Sequence, residues 1–228
     1  MDVRQFLAQF DEGEITVEEV GRGMHVSFLN ARSLVEDAEL LLERRPARAL
    51  SLAVLAMEET AKIFTLCTAA AMAYDGSVEW ARSRRKLDLL SHEAKQAVFA
   101  GYGRALLETL LDKEPGTFYE CEVPVGLIPL LNRFKQMGFY VDCFKGRFVC
   151  PEDDADNRAE WARWLLQAVK QRLASVESMH CTEEASRGVA EKAASLARAA
   201  ATAGSQEAAV EALKVEIKRL WTNDEGAG

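Results

Sequence analysis

The feature that most constrains the fold is a run of long segments with helical periodicity, separated by short breaks. The first segment opens with Thr16 and Glu19 at the spacing of a capping box, and apolar residues then recur every three or four positions until Pro46. Similar segments extend over about Ala47–Tyr74 and Val78–Leu111. Long helices with short connections pack against their chain neighbours in antiparallel order, so we expect a mainly α-helical, antiparallel bundle.

The pattern changes after the third segment. Prolines leave room there for only a short helix, and a stretch rich in β-branched and aromatic residues then predicts a small hairpin at about residues 139–150. A fourth long helix is expected over about Asp156–Val176, followed by two Ala-rich helices. We therefore predict a helical domain over residues 1–180 that includes the hairpin, an Ala-rich helical extension over 181–221 and a flexible tail over 222–228.

Charge and composition exclude several classes of protein. The chain is 49% hydrophobic, as expected for a soluble domain, and it contains no apolar run of the ~20 residues needed to span a membrane. Its net charge of -8 argues against a generally cationic nucleic-acid surface but leaves a local basic patch open. The start of the chain lacks the layout of a secretory signal, so we expect a cytoplasmic location and no membrane partner.

The five cysteines are scattered, odd in number and without a CxxC pair. This usage favours reduced thiols over a disulfide framework or a zinc site. A two-residue turn at Lys145–Gly146 would place Cys143 opposite Phe148 and diagonal to Cys150, which is too long a separation for an easy disulfide.

Three charged residues interrupt the apolar second helix and mark a candidate site. Glu58 and Glu59 point about 100° apart, so at least one carboxylate is expected near the interior. A buried charge is costly unless it is paired and hydrogen-bonded, and Lys62 can pair with either carboxylate. The simpler interpretation is a salt bridge on a half-solvated stripe. The alternative is a site completed by His92 and Lys95, which share a face of the third helix and which antiparallel packing would bring opposite.

The same residues belong to a wider pattern. The stretches "NARSLVEDAELLLERRPARALSLAVLAMEETAKIF", "SHEAKQ" and "GFYVDCFKGRFVCP" resemble the AbiV family of bacterial abortive-infection proteins, which is placed in the HEPN superfamily of helical bundles. The matching elements, across roughly residues 27–170, are Asn30–Ala31 with Leu34 and Asp37–Ala38, Glu58-Glu59-x-x-Lys62, His92-x-x-Lys95, and Tyr140-Val141-Asp142 followed by Pro151. The resemblance implies a HEPN-like homodimer and a cytoplasmic antiphage factor that halts phage growth, by impairing translation after a phage protein engages it.

The resemblance also implies a candidate chemistry, because many HEPN domains are metal-independent ribonucleases with an Arg-x(4–6)-His motif. Arg85 and His92 here have six residues between them. In such an enzyme the histidine would accept the proton of a ribose 2′-hydroxyl, cationic side chains would stabilise the phosphate charge, and a glutamate would orient the histidine or a lysine. No cofactor or metal is needed, since the nucleophile belongs to the RNA. The catalytic set predicted in this way is His92, Arg85, Glu58, Glu59, Lys62 and Lys95.

A second hypothesis is a non-enzymatic effector. Its helical body would bind a phage protein, RNA or the ribosome, while the charged cluster would fix the register of the helices. A third hypothesis, a carboxylate metal enzyme, requires Glu-x-x-His on facing helices, and the sequence has none. We favour the binding effector and keep the endoribonuclease as the alternative, so the sequence leaves open whether the protein is an enzyme.

Overall fold

The computed structural model describes residues 13–81, 95, 128–144 and 146–224, most of which are helical. In chain order the elements are β1 (Glu14–Thr16), α1 (Val17–Leu41), α2 (Pro46–Met72), β2 (Ser77–Glu79), α3 (Ile128–Met137), β3 (Asp142–Phe144), β4 (Arg147–Val149), α4 (Ala155–His180), α5 (Glu183–Ala201) and α6 (Gln206–Asp224). The predicted mainly α-helical fold is therefore confirmed.

The first two helices begin at signals that are present in their local sequences. At the start of α1, the hydroxyl of Thr16 accepts a hydrogen bond from the backbone N–H of Glu19 at 3.2 Å. This bond satisfies one of the donors that a helix N-terminus leaves free. Pro46 is the first residue of α2, a position where its missing N–H loses no hydrogen bond. The proline thus begins the second helix, while α1 has already ended at Leu41.

The central helix is α2, which contacts α1, α3, α4 and α5. Small residues along α2, among them Ala49, Ala53 and Ala56, are fully buried and let these neighbours approach closely. Larger side chains fill the space between the helices. The largest of these fully buried side chains are Met24, Phe28, Met57, Ile63, Leu131 and Leu165. The core therefore surrounds α2, and any charge in the middle of this helix lies close to apolar surroundings.

The predicted third helix starts too early. Ser77–Glu79 form strand β2, which pairs with β1 in antiparallel order so that Val78 is opposite Ile15. Gly76 directs the chain into this strand with a φ of 137°, a conformation that glycine adopts without strain. Val78 is therefore part of a strand, because it finds a pairing partner far away in the sequence. Trp80 and Ala81, directly after β2, are helical, and so is Lys95. The rest of the predicted helix lies outside the described residues.

The hairpin has the predicted register, with Cys143 of β3 opposite Phe148 of β4. Gly146 occupies the turn with a φ of 74°, while Lys145 lies outside the described residues. The fourth helix continues to His180, beyond its predicted end, and the two expected Ala-rich helices follow as α5 and α6. Since α5 packs on α1 and α2, the first of these Ala-rich helices shares the core of the bundle, while α6 packs on α5. The domain boundaries themselves stay a prediction.

The cysteines whose side chains are described, namely Cys67, Cys150 and Cys181, are free thiols. Each lies in a different part of the fold, on α2, after β4 and after α4 respectively. Within the described ranges, no helix combines the length and the apolar character needed to cross a membrane.

Candidate functional site

Glu58 of α2 is the centre of the candidate site. It is only 2% exposed, and a glutamate is almost never so buried without a partner. Lys135 of α3 donates a hydrogen bond to Glu58 Oε1 at 3.0 Å, and Lys95 Nζ lies 3.9 Å from Glu58 Oε2. Both lysines are themselves more than nine-tenths buried. We call Glu58, Lys95 and Lys135 the polar centre, and it joins three segments that are far apart in the sequence.

A second contact between α2 and α3 holds Lys135 in place. Ser51 precedes Glu58 by two helical turns and therefore lies on the same face of α2. Its hydroxyl lies 2.9 Å from the carbonyl oxygen of Lys135 and 3.2 Å from that of the preceding residue. Just beyond α3, Gly138 lies so close to α2 that an added Cβ would overlap Ser51 Oγ and the backbone oxygen of Ala47. The side chain of Lys135 is thus directed at Glu58 by tight backbone packing.

The pKa of Lys95 reflects how the polar centre balances its charges. Burial lowers the pKa of Lys95, and the attraction of Glu58 opposes this shift. Lys62 and Lys135 add repulsion that lowers the pKa further, while Glu59 raises it. The charged form of Lys95 in this apolar environment therefore depends on the neighbouring carboxylate.

Glu59 and Lys62 form a separate ion pair beside the polar centre. Lys62 Nζ lies 2.5 Å from Glu59 Oε1, and the two side chains are 31% and 18% exposed respectively. The sequence left open which carboxylate faces the interior and which one Lys62 pairs with. The structure shows that Glu58 is buried and that Lys62 pairs with Glu59. The simpler interpretation, a salt bridge on a half-solvated stripe, thus describes Glu59 but not Glu58.

The structure brings together some of the residues predicted for the site. Lys95 reaches Glu58, while Arg85 and His92 lie outside the described residues, so their roles stay a prediction. Sequence reasoning missed Lys135. A signal was present, since Lys135 follows the buried Leu131 by four residues and so shares its face of a short amphipathic helix.

The polar centre is an ion network in surroundings with little water. Pulling its members apart would leave a buried charge without compensation, so the network opposes any sliding of α3 along α2. Both ammonium groups already face a carboxylate, which would repel a phosphate at the same position. Among the described residues, no group of three or more His, Cys, Asp or Glu side chains could hold a metal ion.

The fold and the site together define a class, a helical bundle whose central helix carries a buried ion network. The family model of the AbiV-type HEPN domain matches residues 19–174, which is more than half of the chain. The chain therefore belongs to the AbiV family of HEPN proteins, and the match includes the whole polar centre. Membership of this family points to a role in abortive infection, a bacterial defence against phage. No curated protein and no solved structure matches the chain.

Proposed function

We propose that this protein is a bacterial abortive-infection effector that arrests phage growth by impairing translation, through binding to a protein or a ribonucleoprotein. The family match supports the defence role. The observation that carries the mechanism is the direction of the buried lysines, since Lys95 and Lys135 both face the carboxylate of Glu58. A nuclease would direct such cations towards phosphate. Here their charges hold helices together, which suits a scaffold that binds partners.

A binding effector needs partners, and the proposal includes three kinds. The first is a second copy of the chain in a homodimer, and the second is a phage protein that triggers the response. The third is the target, which would be the ribosome or RNA in complex with protein. The helical bundle supplies the rigid surface that all three require.

The alternative is a metal-independent endoribonuclease, and one observation favours it. Lys95 lies at Glu58, and His92 precedes Lys95 by three residues, so on a continuous helix the two side chains would share a face. His92 would then act as acid and base, with Arg85 stabilising the phosphate charge. Glu58, Glu59 and the lysines of the predicted catalytic set would orient these groups.

The substitution His92→Ala distinguishes the two mechanisms. We expect bacteria that express this variant to restrict phage as well as those with the wild-type protein, as measured by plaque counts. Purified wild-type protein should arrest translation in an extract while ribosomal and total RNA remain intact, with or without a metal chelator. His25→Ala is the matched control, because it removes a histidine of α1 that bonds a backbone oxygen away from the polar centre.

Two results would contradict the binding mechanism. Cleavage of RNA that is insensitive to the chelator and is lost in His92→Ala would establish the ribonuclease instead. A complete failure of the wild-type protein to reduce plaque numbers, across phages of several types, would contradict the defence role itself.

A further inference from the structure

The β3–β4 hairpin carries an exposed apolar surface that has no part in the polar centre. Phe148 is 82% exposed, and Phe139, Tyr140 and Val141 are also exposed. Cys143 is opposite Phe148 in the register of the hairpin. Val141 precedes Cys143 by two residues, and side chains alternate between the two faces of an extended chain, so Val141 and Phe148 share a face as diagonal neighbours. We call these four residues the hairpin face. Large apolar side chains that are exposed side by side are typical of an interaction surface.

The sheet behind the hairpin face is incomplete. β3 and β4 have three residues each, and in the described part of the chain they pair only with each other. So small a sheet is marginally stable alone, whereas a third strand would add main-chain hydrogen bonds and cover apolar side chains. The hairpin face therefore suits a partner segment in extended conformation.

The charge beside the hairpin face identifies the chemistry of that partner. Residues 139–156 contain five acidic residues against two basic ones, a formal net charge of -3. The exposed acidic residues here are Asp153, Asp154 and Asp156. Asp153 accepts a hydrogen bond from the backbone N–H of Cys150 at 2.6 Å. This bond folds the acidic turn back onto the end of β4. Cationic side chains of a partner would compensate these charges.

The same charges argue against two other occupants. A nucleic acid would bring phosphates to an acidic turn, where they would be repelled. A second copy of this chain bound through the same face would bring an identical acidic turn to the contact, so that like charges would face each other. We propose that the hairpin face binds a basic segment of another protein, which adds as a third strand to β3–β4 and packs apolar side chains on Val141 and Phe148.

One end of the hairpin face is anchored close to the polar centre. Phe139 directly follows Gly138, whose close approach to Ser51 anchors the end of α3 on α2. Lys135, one turn earlier, is bound to Glu58. The chain therefore enters the hairpin face from a tightly packed helix end, while the small sheet itself gains stability when the partner adds its strand. This surface goes beyond the proposed function, since it specifies one partner's chemistry without requiring a particular mechanism of arrest.

The test uses the purified full chain and a labelled synthetic peptide of about nine residues that alternates lysine with valine and phenylalanine. Fluorescence anisotropy should show saturable binding that weakens with salt. Phe148→Ser should weaken binding about tenfold or more, because a truncated aromatic anchor is a typical hot-spot loss. Asp153→Asn combined with Asp154→Asn should weaken it and reduce the salt dependence. Val215→Ser, which removes an exposed apolar side chain on α6, is the matched control and should bind normally.

Four results would overturn the proposal. The first two are that the peptide does not bind up to millimolar concentration, or that a peptide with glutamate in place of lysine binds equally well. The other two are that Phe148→Ser leaves binding unchanged, or that a peptide N-methylated at alternate positions binds as well as the unmodified one. Single-stranded RNA that competes for the hairpin face would assign the surface to nucleic acid instead. A wild-type dimer that Phe148→Ser dissociates would assign it to a second copy. Plaque assays test the proposed function separately, so the two failures are distinguishable.

Discussion

Removal of the carboxylate of Glu58 tests whether the polar centre stabilises the folded protein. Lys135 lies within hydrogen-bond distance at 3.0 Å, whereas Lys95 at 3.9 Å interacts mainly through its charge. Breaking a buried ion pair by removing one partner costs about 3–5 kcal/mol, because the other charge stays buried. Glu58→Gln keeps the volume of the side chain but replaces the carboxylate that Lys95 and Lys135 face with a neutral amide. It should therefore lower the free energy of unfolding by about 3–5 kcal/mol.

A double-mutant cycle separates the contribution of each lysine. Urea unfolding followed by circular dichroism would be measured for Glu58→Gln, Lys135→Met and the combination. A charge-assisted hydrogen bond predicts a coupling energy of about 1.5–3 kcal/mol for this pair. The corresponding cycle with Lys95→Met should give a smaller value, since its distance is longer. The pair of Glu59 and Lys62 is the control, and its partial exposure predicts about 0.5 kcal/mol or less.

The reasoning would be refuted by a coupling energy near zero between Glu58 and Lys135. It would also be refuted if Lys95 were coupled more strongly than Lys135, because the distances predict the reverse order. A stabilising effect of Glu58→Gln alone would show that the buried carboxylate destabilises the folded protein.

Three further predictions concern packing, protonation and capping. Gly138→Ala should cost about 1–3 kcal/mol in urea unfolding, because its Cβ would overlap Ser51. Gly204→Ala should cost much less, since none of the described atoms lies within 4 Å of the added Cβ. Burial, and then the charge of His25, lowers the pKa of His180 to about 4 from an ordinary 6.5. The unfolded chain therefore binds a proton that the folded protein does not, and the free energy of unfolding should fall by roughly 3 kcal/mol as the pH drops from 6.5 to 4. His180→Asn should flatten this part of a pH titration of unfolding. Thr16→Ala should lower the unfolding free energy by about 1 kcal/mol, whereas an unchanged value would contradict the observed cap.

Short-range patterns in the sequence determined much of the local structure. Thr16 caps α1, and the turn at Gly146 places Cys143 opposite Phe148, as their spacing predicts. Each of these features depends on residues only a few positions apart, where steric limits and local hydrogen bonds dominate. Val78 shows where such reasoning fails, since its strand depends on a partner that precedes it by 63 residues. No local pattern contains that partner.

Only the tertiary structure decided which carboxylate is buried and what compensates it. Glu58 and Glu59 are neighbours with the same chemistry, and the sequence predicts only that they point in different directions. The packing of α3 along the Ser51 side of α2 buries Glu58 and leaves Glu59 at the edge with Lys62. Lys135 reaches Glu58 across 77 residues of chain. The protonation and pairing of a charge depend on everything packed around it, and that environment exists only when distant segments have come together.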